Sequence, residues 1–229
     1  MDREPVELAP SRTLRQLARI GWLAEQPLHF QARIAAIGRW TKYRRGALLH
    51  DEQHEGKAIH GLGEGWVDIA ISIGPDEKIV IHRAGPGFWV GDSAALAGAT
   101  RAVSVRAAVD NKVFQVPAAA VRQLLKEFPA DWACFYRLSH RNTTLTLRVV
   151  AELLSLRPKM RLARLLLRLA DPTAKVRATQ DELGRFAGMS RATFRRASGK
   201  LIKGGAIGMG YGGLRIADMA ALRAMARGY

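Results

Sequence analysis

Residues 179–203 read TQDELGRFAGMSRATFRRASGKLIK, and their turn chemistry decides the fold of the last third of the chain. Thr179 is placed to cap a helix, Glu182 three residues on completes a capping box, and Leu183, Phe186 and Ala187 supply a buried face. Gly188 ends that helix where a left-handed residue is needed for a sharp turn. Ser190 caps the next helix, in which Phe194, Ala197, Leu201 and Ile202 face inward while Arg191, Arg195, Arg196 and Lys200 stay in solvent. Two helices joined by so short a turn form a helix-turn-helix, whose second helix enters the major groove of double-stranded DNA by its N-terminal end. Arg191 and Arg196 then reach base edges, because a guanidinium fork donates to guanine O6 and N7 together. The hydroxyls of Ser190 and Thr193 suit a phosphate or a thymine edge, and Thr179, Gln180, Arg195 and Lys200 complete the contact set on the two helices. Beyond them, residues 206–216 (AIGMGYGGLRI) read as a glycine-turned hairpin, a wing beside the recognition helix on which Arg215 can touch phosphate.

The charge distribution favours this reading over a plain helical hairpin with a solvated basic face. The chain carries a formal net charge of +16. Residues 1–154 hold 20 Lys and Arg against 16 Asp and Glu, whereas residues 155–229 hold 16 against 4. Positive charge concentrated in one segment of globular character points to nucleic acid ahead of an anionic membrane surface. The longest apolar runs fall far short of the roughly 20 residues of a membrane span, so no membrane partner is expected. The N-terminus lacks the pattern of a secretory signal, which places the chain in the cytoplasm. The single cysteine, Cys134, excludes internal disulfides and a cluster built from several cysteines.

Upstream, the pattern is mixed. Residues 14–23 and 30–37 carry apolar side chains at helical spacing. From 39 to 116 the chain changes to short β-type runs (40–43, 58–62, 67–73, 78–82, 102–109 and 112–116) separated by Gly, Pro and Asp, which predict a compact β-barrel or β-roll. Its glycines, Gly61, Gly63, Gly65, Gly74, Gly85, Gly87, Gly91 and Gly98, are those expected of tight turns with positive φ. A short helix follows Pro117, and Pro129 opens a long helix to 154 whose apolar stripe (Trp132, Phe135, Leu138, Leu145, Val149, Leu153, Leu156) is wide enough for its own domain and a second chain, which favours a homodimer over packing within its own subunit alone. Pro158 interrupts the pattern and places a hinge at 155–158. Residues 159–170 then form a basic amphipathic helix with Met160, Ala163, Leu166, Leu167 and Ala170 on one side. The class is α+β, divided into an N-terminal sensor roll (1–128), a long helix and hinge (129–156) and a DNA-binding domain (157–229).

A different reading comes from His50, His54, Glu55, His60 and His82. A small barrel with clustered His and Glu is how cupin-like metal-binding proteins and enzymes hold iron or manganese. The ligands must share strand parity to meet in one cavity, and residues 54–57 look like a turn that breaks it. A haem sensor using a histidine and Cys134 lacks an axial pair, and no serine sits in a nucleophile elbow, so no catalytic activity is expected.

The order of β-roll, long helix, hinge and winged helix-turn-helix resembles the catabolite activator/FNR (CRP/FNR) family over roughly residues 20–218. Two motifs carry the likeness: GMSRATFRRASGKL at 188–201, and GPGFWVGDSAALAGATRAVSVRA at 85–107, which is similar to the family's phosphate-binding cassette. The resemblance implies a transcription regulator, not an enzyme, that binds a pseudo-palindromic site as a dimer and meets RNA polymerase if it activates. It also implies a cyclic nucleotide held by Gly91, Asp92, Ser93 and Arg101, with Thr146 on the long helix near the base. Asp92 is one methylene shorter than the family's Glu, and Ala102 after Arg101 cannot donate the second hydrogen bond to phosphate. On the recognition helix Ala192 stands where family members typically carry Glu, which would accept from cytosine N4, so the preferred sequence differs.

Overall fold

The computed structural model describes residues 14–75, 77–176, 178–210 and 213–227. The chain divides into two compact units, 1–143 and 144–229.

The first unit is built on eight antiparallel strands: β1 (Arg39–Tyr43), β2 (Leu48–His50), β3 (Ala58–Glu64), β4 (Val67–Ser72), β5 (Lys78–Ala84), β6 (Trp89–Val90), β7 (Ser104–Ala107) and β8 (Asn111–Pro117). They form two four-stranded sheets, ordered β1-β8-β3-β6 and β2-β7-β4-β5. Alternation along β3 and β8 sorts side chains to two faces. Leu62 and Val113 meet Val67, Ile69, Ala84 and Val105 between the sheets. Ile59, Phe114 and Val116 point the other way, into a second core with α1 (Leu28–Ile37), α3 (Ala118–Glu127) and the start of α4 (Trp132–Ser155). At the centre of that core Trp22 lies edge-on to Phe30 and Trp89, with ring centroids 5.6 and 5.2 Å away. Its indole nitrogen donates to the Cys134 carbonyl at 2.9 Å. Aromatic pairs of this kind add about 0.5–1.5 kcal/mol each beyond the area they bury.

Several expectations are corrected here. Residues 14–23 are a run of turns leading into a 3-10 turn at Leu23–Glu25, not a helix. The reason is Gly21, at φ +76, where a Cβ would lie 2.0 Å from the Gly87 carbonyl oxygen; the chain turns there to lay Leu14, Leu17 and Trp22 on the core. The 102–109 run shortens to β7, leaving Ala102 outside the strand, and the cassette contains a helix, α2 (Asp92–Ala97), that its small residues did not reveal. Gly61 and Gly63 do not serve turns. They sit inside β3, where added Cβ atoms would lie 2.6 Å from the Trp89 ring and 2.5 Å from the Trp40 ring, so they make room for crossing indoles.

In the second unit α4 ends at Ser155 and α5 (Pro158–Leu169) begins with Pro158 in its first turn after an extended Arg157. Leu162, Ala163, Leu165, Leu166 and Leu169 are the buried side of α5, a face rotated from the predicted one; Met160, Leu167 and Ala170 are only half-buried. The rotation follows from contact with two partners, α7 (Arg191–Lys203) and α8 (Met219–Arg227), which together demand a wider apolar face than one stripe. The α4 stripe is likewise divided: Phe135 and Leu138 are buried, while Trp132 and Leu153 are exposed. Glu152 on the last turns of α4 is buried and accepts from Arg168, with Arg164 at 3.7 Å. No helix among the described residues is long and apolar enough to cross a membrane.

Candidate nucleic-acid interface and sensor pocket

The interface begins with α6 (Gln180–Phe186), whose capping box is complete: the Thr179 amide donates to Glu182 at 2.7 Å and the Glu182 amide donates to Thr179 Oγ1 at 3.2 Å. Gly188 takes φ +58, and the Met189 amide closes the turn onto the Gly184 carbonyl at 2.9 Å. Ser190 caps α7 by accepting from the Thr193 amide at 3.3 Å. Phe194, Ala197 and Leu201 are buried as the periodicity requires; Ile202, expected inside, is 41% exposed because it lies at the edge of that face. Arg195, Arg196 and Lys200 stand in solvent. Arg196 donates to Thr193 Oγ1 at 3.4 Å, and Arg191 pairs with Asp181 of α6 at 3.3 Å. These exposed contacts are worth about 0–1 kcal/mol, so both guanidiniums are oriented yet free to exchange onto DNA.

Antiparallel β9 (Ile207–Gly210) and β10 (Gly213–Ile216) form the expected wing, with Arg215 exposed. Gln180 reaches toward Met209 of β9, Nε2 to Sδ 3.8 Å, which holds the wing against the start of α6. Sequence reasoning missed Arg157 and Lys159. They flank Pro158 and, with Thr193, Arg196 and Lys200, line an open groove of about 480 Å³ along α7. Only their charge beside the hinge proline could have flagged them.

In the cassette, Gly91 takes φ +92 and caps α2, a geometry that favours glycine. Arg101 packs over it: a Cβ there would lie 2.1 Å from Nη1. The guanidinium is 4% exposed and donates to the Gly91 carbonyl at 3.2 Å and the Ala58 carbonyl at 2.6 Å. Asp92 is buried and does not bridge to it. Its carboxylate accepts from Ser139 and, at 3.0 Å, from Asn142, both on α4, and burial raises its pKa. Nothing in the sequence announced these two partners. Ser93 and Ala102 are exposed, and Thr146 is exposed on α4 within the second unit. The arrangement fits a cyclic nucleotide poorly: both terminal nitrogens of Arg101 already donate to backbone carbonyls, the carboxylate is held by α4, and Ala102 offers no donor.

The histidines divide. His50 of β2 and His60 of β3 stack at 5.3 Å between ring centroids in a cavity of about 390 Å³ with Arg101 and Gln115. His54 is exposed in the turn after β2 and, with Glu55, lines the outer part of the same cavity, whereas His82 lies against Phe88. No group of three or more His, Cys, Asp or Glu that could hold a metal occurs among the described residues. Burial and the Arg101 charge keep both paired imidazoles neutral, lowering His50 to about 3 and His60 to about 4.

Comparison with known proteins supports the two-part reading. The cyclic nucleotide-binding domain model matches residues 40–128, and the Crp-like helix-turn-helix domain model matches residues 160–225. A search of curated proteins finds no match. A Ruegeria pomeroyi DSS-3 protein described as cyclic-nucleotide-binding is similar in structure at 20% identity and TM-score 0.71, covering 97% of this chain and 100% of its own. FixK2 from Bradyrhizobium japonicum is similar at 16% identity and TM-score 0.71, covering 82% of this chain and 97% of its own. A CRP/FNR-family transcriptional regulator from Thermus thermophilus reaches 24% identity and TM-score 0.61, covering 82% of this chain and 98% of its own. With a nucleotide-binding-type roll followed by a Crp-like helix-turn-helix, the chain belongs to the CRP/FNR family of transcription regulators.

Proposed function

We propose that this regulator acts as a cytoplasmic homodimer on a pseudo-palindromic DNA site, with α7 in the major groove and the roll answering a small ligand. The domains follow the sequence division, 1–128 sensing, 129–156 pairing through α4, and 157–229 binding DNA. The observation that carries the reading is the recognition helix itself: a Gly188 turn and a Ser190 cap present Arg191, Arg195, Arg196 and Lys200 on one solvent face with no carboxylate on α7. Arg191 and Arg196 read bases. Thr179, Gln180, Ser190, Thr193, Lys200 and Arg215 take phosphates, joined by Arg157 and Lys159. Leu147, Val150 and Leu154 are exposed along α4 and supply the apolar seam for a second chain. If it activates, RNA polymerase is a further partner.

The test is sedimentation of the full chain together with selection of duplexes from a random library. A dimer that selects two inverted half-sites about one helical turn apart is expected. A monomer, or a selected pool without symmetry, contradicts the proposal.

A further inference from the structure

The interior of the β-roll is apolar at one end, around Leu62 and Val105, and polar at the other. The polar end holds unspent hydrogen-bonding capacity. Both ring nitrogens of His50, both of His60 and Nε of Arg101 are buried without a partner. His60 and Arg101 are only 3% and 4% exposed. Leaving such groups unsatisfied costs about 1–3 kcal/mol each, more where a charge is involved. The Arg101 cation feels the Asp92 charge only at a distance and has no ion pair with it. Asp92 turns to Ser139 and Asn142, and Asp51, beside His50, is held by Lys78 and Ser104.

We propose that this polar end, where His50, His60 and Arg101 meet, binds a small carboxylate anion that is the signal of the N-terminal unit. The inference rests on the reading of the roll as a sensor and names its ligand class. After its two carbonyl contacts Arg101 keeps its unpartnered Nε–H and one N–H on each terminal nitrogen, and each neutral imidazole supplies one more, because no neighbour fixes its tautomer. The two imidazole donors, the Arg101 Nε–H and one positive charge suit the two oxygens and single charge of a carboxylate. A phosphodiester asks in addition for the hydroxyl that Ala102 lacks, and the terminal guanidinium nitrogens are already turned to the Gly91 and Ala58 carbonyls. A metal cation is repelled by Arg101 and finds no group of three ligating side chains among the described residues: His54 and Glu55 also line the cavity but are exposed, and Glu55 pairs with Lys57 at 3.5 Å. Leu49 and Ala58 line the same cavity and leave apolar surface for a short carbon skeleton.

Full-length protein with labelled imidazoles is titrated with acetate, succinate, benzoate, inorganic phosphate, cyclic AMP and zinc ion while the His50 and His60 resonances are followed. At least one carboxylate is expected to shift both saturably, and His60→Gln is expected to weaken it about tenfold or more, the loss of one charge-assisted hydrogen bond. Arg101→Gln should also abolish binding, but it removes a brace on two carbonyls, so the near-isosteric His60 change carries the test if that variant does not fold. Shifts produced only by phosphate or cyclic AMP, tight zinc binding without a carboxylate response, or no response to any probe overturns the inference. Duplex selection on the same preparation separates the two claims. A selected palindrome without anion binding overturns only this one, whereas failure to select any site overturns the reading beneath it.

Discussion

Lowering the pH from 7 to 5 should destabilise the N-terminal unit by about 4 kcal/mol through two buried imidazoles. In the unfolded chain each histidine protonates near its ordinary pKa of 6.5, whereas in the fold His50 and His60 titrate at about 3 and about 4. A group whose folded pKa is depressed contributes stability above its unfolded value and loses it as the pH falls toward the folded one. At pH 5 the unfolded state binds a proton at each site, about 1.5 units below the free pKa, while the folded state still binds almost none. With 1.36 kcal/mol per unit, each histidine costs about 2 kcal/mol. The figure depends little on the folded values, since both lie below 5. Asp92 acts with the opposite sign, because its raised carboxyl pKa favours the fold as the pH drops through it. Asp51, held down to about 2, changes nothing in this window. Urea unfolding at both pH values measures the effect. Trp22, Trp40, Trp66, Trp89 and Trp132 all lie in the first unit, so tryptophan fluorescence, excited selectively, reports that unit alone. The difference between wild type and the His50→Asn/His60→Gln variant isolates the histidines from Asp92. If both proteins lose stability equally between pH 7 and 5, the two imidazoles are not buried neutral in the fold and the reasoning fails.

Other consequences follow from single contacts. Gly61→Ala places a methyl against the Trp89 ring and should cost the first unit about 1–3 kcal/mol, read by the same fluorescence. Glu152→Gln keeps the shape but removes the charge that Arg168 donates to, so hydrogen exchange in α5 should speed by a factor matching about 1.5–3 kcal/mol. Lys200→Ala should weaken all DNA sequences alike and lower the slope of log affinity against log salt by about 1. An unchanged slope would place Lys200 away from phosphate.

The second unit was the more legible half because its signals are local. The Thr179 and Glu182 box, the Gly188 turn and the Ser190 cap each act within a few residues, and the structure shows each one. What escaped the sequence is set by distant partners. Gly61 and Gly63 looked like turn residues because the indoles that cross them come from Trp89 and Trp40 on other strands. The exposed side of Ile202 and the rotated face of α5 depend on which neighbours arrive. His50 and His60 belong to the alternative metal-site reading with His54, Glu55 and His82, yet they share their cavity with Arg101, and a cation beside them disfavours that chemistry. Asp92 and Arg101 fall where the resemblance puts the cassette's ligands, but only the structure shows that Asp92 is held by Ser139 and Asn142 and that Arg101 donates to the Gly91 and Ala58 carbonyls.

Base reading by α7 through Arg196 is put to the test by base-resolved site selection with wild type and Arg196→Ala. The variant should lose preference at one symmetry-related pair of positions, at about 1–3 kcal/mol, and keep the rest of its site. Equal weakening on selected and random duplexes, with every base preference retained, would contradict it.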